Sequence, residues 1–242
     1  MDAGKAILIL GANSDVARQA IRQYIQQGHR VIAASRSVDE LRDFVTLEVS
    51  HPERVTILYF DAVAFEEHRL FYEALPEKPH IVVYAAGYLK HNEAAMKDWA
   101  GAFRMMQVHY AGAVSILNII VTDASNTRLE RIIGLSSLSG VRGRKSNFIY
   151  GSTKSAFTQY LAGLRQYLFA RRIRVNVIVA GYIRSKMTAG LNLPESLMLE
   201  PEFIARAVVG AGGRFTIVPG FKWKIIYWVL KLSPETLVAR LP

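Results

Sequence analysis

Short apolar runs recur along the whole chain, and longer polar segments with helical spacing separate most of them. The runs are "AILIL" (6–10), "RVIAA" (30–34), "VTILYF" (55–60), "HIVVYAA" (80–86), "RIIGLSS" (131–137), "RVNVIVAG" (174–181) and "FTIVP" (215–219). Most are apolar at consecutive positions, as strands buried on both faces of a parallel sheet must be. Segments such as 15–27, 64–75, 93–124 and 147–171 space their apolar residues for helices. This repeated alternation predicts an α/β fold: a doubly wound parallel sheet of about seven strands with helices on both faces.

The 242 residues are enough for one large domain with a real core. No repeat or linker interrupts the pattern, so residues 1–220 read as a single domain. Residues 221–242 read as a basic, aromatic tail set apart from it. The chain has no cysteine, which removes disulfides, a thiol nucleophile and thiolate metal ligands. It fits a reducing compartment, and no metal site is expected. The N-terminus "MDAGKAILIL" lacks the pattern of a signal peptide, and no run of 18 uncharged apolar residues occurs. A cytoplasmic location is therefore expected.

The formal net charge is +10, and it is concentrated. Between Glu130 and Glu195 there is no acid, while eleven basic residues fall there. Such a segment is either a solvated basic face or a surface that draws phosphates. No nucleic-acid-binding motif accompanies it, so a nucleic-acid partner is not expected.

In a doubly wound sheet, ligands bind beyond the carboxyl ends of the strands, near the point where strand order reverses. After the first predicted strand, "GANSDVAR" offers Gly11 for a tight turn, then Asn13, Ser14, Asp15 and Val16 at a helix start. Open N–H groups there favour a phosphate. After the second come Ser35 and Arg36, with no acid. A hydroxyl and a guanidinium suit a ribose 2′-phosphate, although Arg36 is otherwise an ordinary loop arginine. Asp61, followed by Ala62, either caps the next helix or bonds an adenine amino group. Ala85, Ala86 and Gly87 lack bulk, so a cofactor can lie close to the backbone. Gly181, Ile183 and Ser185 follow the sixth strand.

The spacing Tyr-x-x-x-Lys occurs three times, at Tyr150/Lys154, Tyr182/Lys186 and Tyr227/Lys231. Only the first lies in a predicted helix directly after a strand, thirteen residues beyond Ser137. Four residues apart on a helix means one face. An ammonium beside a phenol lowers its pKa, which suits Tyr150 to exchange a proton with a carbonyl oxygen that Ser137 holds.

These residues together resemble the short-chain dehydrogenase/reductase family over nearly the whole chain. "GANSDVA" is similar to its glycine-rich turn, "SSLSG…YGSTK" to its Ser–Tyr–Lys site, and "AGYIRSKM" to its loop after the sixth strand. The resemblance implies a Rossmann-type fold, an NADPH/NADP cofactor, a small-molecule ketone substrate and a homo-oligomer. It makes Tyr150 the acid/base, Lys154 the group that tunes it and binds the nicotinamide ribose, and Ser137 the orienting hydroxyl. The family's fourth catalytic residue, an Asn, corresponds to His109 in "QVHYAGA". His109 therefore either serves the proton relay or packs the helix. The first choice gives an active enzyme, the second a dinucleotide-binding regulatory or scaffold protein. The stretch "RGRKSNFIYGSTKSAF" and the ending "FKWKIIYWVLKLSPETLVARLP" resemble the decaprenylphosphoryl-2-keto-ribose reductases. That likeness implies a lipid-linked or sugar ketone. It also suggests peripheral membrane contact through 221–242, where Lys222, Lys224 and Lys231 flank "IIYWVL". Packing of the tail on the domain is the competing expectation.

Overall fold

A computed structural model describes residues 4–240; residues 1–3 of the N-terminal segment and 241–242 of the tail lie outside the described residues. Among the described residues, seven strands form one all-parallel sheet: β1 (Ala6–Leu10), β2 (Arg30–Ser35), β3 (Val55–Tyr59), β4 (Ile81–Tyr84), β5 (Arg131–Ser137), β6 (Arg174–Ala180) and β7 (Thr216–Ile217). Their spatial order is β3-β2-β1-β4-β5-β6-β7. The chain winds outward from β1 one way, returns at β4 and winds the other way. That reversal opens a crevice between the carboxyl ends of β1 and β4. The doubly wound sheet expected from the alternation is present; β4 and β7 are shorter than their apolar runs.

All five residues of β1 are buried, and the period of two explains why each must be apolar. Leu8 and Leu10 enter one core with Ile32, Val82, Tyr84 and Ile132. Ile7 and Ile9 enter the other with Val31, Val83 and Ile133. Helices α1 (Asp15–Gln26), α2 (Val38–Glu48) and α8 (Pro201–Val209) cover the second face. Helices α3 (His68–Glu73), α6 (Gly112–Thr122) and α7 (Phe148–Tyr167) cover the first.

The run expected as one helix over 93–124 is divided into α4 (Asn92–Lys97), α5 (Trp99–Met106), a π turn (Gln107–Ala111) and α6. Asp98 has extended backbone and separates α4 from α5. From Trp99 to Thr122 the chain is long and apolar enough to cross a bilayer, but half of that stretch is buried inside the fold.

The tail read from the sequence as a segment apart is folded onto the domain over its described part. It forms α9 (Phe221–Leu232) and the short α10 (Glu235–Val238). Trp223, Tyr227 and Leu230 are buried and belong to the first core. Arg142 ties the end of α9 down by donating to the carbonyls of Leu230 (3.1 Å) and Ser233 (2.5 Å).

One glycine governs how α7 meets the sheet. A Cβ on Gly134, in β5, would stand 2.6 Å from Phe157 of α7 and would also overlap Leu161. Without it, α7 settles directly onto β5. We expect Gly134→Val to lose about 1–3 kcal/mol of stability, the usual cost of overpacking; chemical denaturation measures it, and an unchanged midpoint contradicts the packing described.

Candidate active site

A cavity of about 370 Å³ lies at the crevice between β1 and β4. It is lined by Gly11, Asn13, Ser14, Asp15, Val16, Ser35, Arg36, Asp61, Ala62, Ala85, Ala86, Gly87, Tyr150, Lys154, Ile183 and Ser185. Residues 139 positions apart in sequence, Gly11 and Tyr150, therefore share one wall space. Of the residues expected to hold a cofactor, Gly181 is not on this wall. The Trp223 indole from α9 lies where a Cβ on Gly181 would be. That glycine makes room for a ring, not for a ligand.

The β1–α1 turn is shaped by close backbone approach. Gly11 has φ +85°, and a Cβ there would sit 2.5 Å from the Ala86 Cα. Ser14 caps α1 by accepting from the Ala17 N–H at 3.2 Å. Ser14, Asp15 and Val16 line the cavity, so α1 begins at its wall. Asn13 ties this turn to the end of β2, donating to Ser35 Oγ (3.0 Å) and to the Ser37 carbonyl (2.8 Å). Arg36 beside them is exposed and makes no ion pair among the described residues. Asp61 supports its own turn, its carboxylate accepting from the Val63 N–H at 3.1 Å; it does not cap the next helix, whose flanking residues are Ala64 and Glu67.

Two acids stand where a phosphate would be opposed, and both are already engaged. Asp15 accepts from the Lys186 N–H at 2.8 Å. Glu40 lines the cavity next to Arg36 and pairs with Lys186 (2.6 Å) and Arg18 (2.8 Å). The Lys186 hydrogen bond, helped by Arg18, holds the Glu40 carboxyl below its ordinary range. Sequence reading missed Glu40 and Lys186, because their pairing joins residues 146 positions apart. A wider hollow, about 690 Å³, lies beyond Lys186 between α1 and the segment 184–201.

Tyr150 and Lys154 occupy successive turns of α7 and face the cavity together. Burial pushes the Tyr150 phenol up to about 12, against a smaller lowering by its hydrogen bond to Ser137. The expected lowering by Lys154 is not seen. The ammonium sits 5.8 Å from the phenol ring centroid and donates to the Leu135 carbonyl at 3.0 Å instead. Burial brings Lys154 itself down to about 8, so its charge is weakened where the phenol would need it. Ser137 is at the end of β5, where its hydroxyl also accepts from the Ser139 N–H at 3.1 Å.

His109 lies in the π turn, wholly buried, with its ring edge-on to Tyr150 at 5.1 Å between centroids. Its Nε2 accepts from the Tyr88 N–H at 3.0 Å, and its Nδ1 is 2.7 Å from Thr153 Oγ1. Thr153 donates its only hydroxyl proton to the Tyr150 carbonyl at 2.8 Å. Nδ1 must therefore carry the imidazole proton and donate it to Thr153. Both ring nitrogens are spent on protein partners. Burial, then the Lys154 charge, holds the ring well below its ordinary pKa, so it stays neutral. In this geometry His109 ties the loop after β4 to α7 and has no nitrogen left to pass a proton.

This arrangement defines a class first: doubly wound α/β domains whose ligand cavity lies at the switch point, with a tyrosine and a lysine on its wall. The chain belongs to the short chain dehydrogenase family, whose family model matches residues 5–196. It is 26% identical to an uncharacterized oxidoreductase of Mycobacterium tuberculosis, over 100% of this chain and 99% of the relative. An uncharacterized oxidoreductase of Myxococcus xanthus is also 26% identical, over 81% of this chain and 79% of the relative. Among solved structures, a short chain dehydrogenase from Burkholderia cenocepacia in complex with NADP superposes with a TM-score of 0.82 at 20% identity, covering 98% of this chain and 97% of that one. Actinorhodin polyketide ketoreductase with NADPH gives 0.77 at 16% identity, covering 89% and 95%.

The His109 hydrogen bonds are directly observable. Nitrogen-edited NMR of the imidazole is expected to show the proton on Nδ1, unchanged across about pH 5–8, where an ordinary histidine titrates. An Nε2–H tautomer, or a titration in that range, contradicts the assignment.

Proposed function

We propose that this chain is an NADPH-dependent ketoreductase in which Tyr150 is the acid/base. One observation carries the reading: a single cavity at the switch point is walled by the open start of α1, by Ser35 and Arg36, and by the Tyr150–Lys154 pair. The bulk-free Ala85–Gly87 line the crevice along which a dinucleotide would lie. Its phosphates would meet the amides of α1, and a ribose 2′-phosphate would meet Arg36. When bound, NADPH supplies a hydride for the substrate carbon.

The protein's own residues then handle the proton. With its pKa near 12 the Tyr150 phenol keeps its proton through the working range and can donate it to a developing alkoxide oxygen. Ser137 holds that oxygen. Lys154 is charged below about pH 8 and adds positive potential beneath the phenol. His109 positions the loop after β4 and α7 without taking part in the transfer. The sequence likenesses in residues 142–157 and in the ending support a lipid-linked or sugar ketone as substrate, met at a membrane surface through 221–242. The second reading, a cofactor-binding regulator without turnover, is favoured by the closed hydrogen bonding of His109.

Incubation with NADPH and a panel of ketones, followed at the nicotinamide absorbance, separates the two readings. Tyr150→Phe is expected to lose about 100- to 10,000-fold in turnover, the range of a lost general acid, with NADPH binding intact. The wild-type kcat/KM is expected to fall as pH rises through about 8, where Lys154 loses its charge. Near-normal turnover by Tyr150→Phe contradicts the assignment, and absence of turnover with tight NADPH binding favours the regulator.

Arg36→Ala is expected to weaken NADPH about 10- to 150-fold, from about 1.5–3 kcal/mol for a charged hydrogen bond, and to leave NADH unchanged. Equal losses for both cofactors contradict the role given to Arg36.

A further inference from the structure

Helix α9 carries two apolar stripes on opposite sides. The inner one, Trp223, Tyr227 and Leu230, is buried in the core. The outer one is Phe221, Ile225, Trp228 and Leu232, with exposures of 77%, 50%, 54% and 73%. At about 100° per residue these four fall within an arc of about 60°. A helix packed on one face ordinarily turns polar residues outward. Here the outward face is a row of large apolar side chains, continued by exposed Leu237 on α10.

The cations lie beside the outer stripe, not in it. On the same helical projection Lys222 flanks one edge, and Lys224 and Lys231 flank the other; all three are exposed. Residues 203–234 contain no acid. A large apolar stripe with aromatic members, bordered on both edges by ammonium groups, is the arrangement of a helix lying in a lipid headgroup layer. Twelve residues of helix reach only about 18 Å, far short of the roughly 30 Å of a bilayer core, so α9 lies along the surface and does not cross it. A second copy suits this face poorly. An isologous contact would set the three lysines against their own counterparts, with no acid on the helix to answer them.

We propose that the outer face of α9 is a docking surface for a membrane rich in anionic lipid. The helix is also fastened to the chain that borders the substrate side of the cavity. The Trp223 indole N–H donates to the Leu197 carbonyl at 2.9 Å, and the Lys222 ammonium to the Ser196 carbonyl at 3.0 Å. Tyr182, just past β6, stands edge-on to Trp223 at 5.1 Å. Docking would therefore bring the segment 186–200 to the lipid boundary together with α9. This deepens the lipid-linked reading and rests on it for its purpose; the binding itself stands on α9.

The test is cosedimentation of the full chain with vesicles of phosphatidylcholine alone and of phosphatidylcholine mixed with phosphatidylglycerol. Binding is expected only to the mixed vesicles, with release at high salt. Lys224→Gln is expected to weaken it about fivefold, since one lysine near such a surface is worth about 1 kcal/mol. Ile225→Glu and Trp228→Glu are expected to abolish binding while the thermal melting of the protein is kept. Neither residue touches the cavity, so both variants should turn over a soluble ketone as the wild type does. No binding at low salt, or equal binding to neutral vesicles, overturns the proposal. So does a dimer in solution that Ile225→Glu dissociates, which would make a second copy the occupant. Vesicle binding without ketone turnover leaves the surface standing and removes the reductase reading instead.

Discussion

The backbone-to-backbone contact between α7 and the end of β5 sets the position of everything in the site. It is made by small residues from both sides. A Cβ on Gly151 would lie 2.5 Å from the Ser139 carbonyl oxygen, and one on Gly140 would lie 2.8 Å from the Ser155 nitrogen. Gly134 lets Phe157 and Leu161 sit down on the sheet one turn further along. With no side chain between them, the start of α7 and the loop after Ser137 cannot slide independently. The backbones that carry Ser137 and Tyr150 are thus held against each other by close main-chain packing. Thr153 adds a second tie, joining α7 through His109 to the loop after β4.

The electrostatics of the cavity follow from which charges are already answered. Lys154 is buried with no carboxylate beside it, and its ammonium rests on a carbonyl. Arg36, at the far end, is exposed and makes no ion pair among the described residues. Of the three acids on the wall, Glu40 pairs with Lys186 and Arg18, Asp15 accepts the Lys186 backbone N–H, and Asp61 accepts the Val63 N–H. Lys154 near one end and Arg36 near the other are the cations on this wall that no carboxylate pairs with among the described residues. An anionic ligand bearing several phosphates is what such a crevice favours. Because Lys186 holds Asp15 and Glu40 from the segment that follows β6, one latch closes this wall and engages two of its acids.

Much of this was legible in the sequence, and the reasons differ by element. The sheet could be read because strands buried on two faces must be apolar at successive positions, and the carboxyl ends then named the wall residues without any knowledge of their contacts. Chemistry that depends on pairs distant in sequence could not be read. Nothing in "DELRDF" says that Glu40 faces Lys186, and nothing in "QVHYAGA" says that the His109 ring is held at both nitrogens. Gly181 misled for the same reason: a glycine after a strand looks like room for a ligand, and its neighbour is a tryptophan 42 residues on. The effect of Lys154 on Tyr150 was misjudged because spacing gives a shared face but not burial, and burial dominates both pKa values.

The ending of the chain shows where periodicity alone stops. In "FKWKIIYWVLKL" apolar residues occupy nearly every position except the lysines, so the helical projection yields two stripes and no rule for which one packs. The fold decides it. Gly181 offers a flat surface for an indole, and the Trp223 ring takes it; Tyr227 and Leu230 follow on the same face. Loss of a buried tryptophan ordinarily costs about 3–5 kcal/mol, so residues 221–232 are part of what keeps the domain folded. The two expectations for the tail, packing and surface contact, are consequently not rivals. The inner stripe completes the core and, in doing so, presents the outer stripe rigidly beside the segment 186–200. A flexible tail would have to pay its ordering entropy on meeting a surface; α9 is already ordered, and its apolar face is held outward by the same Trp223 that closes the end of β6.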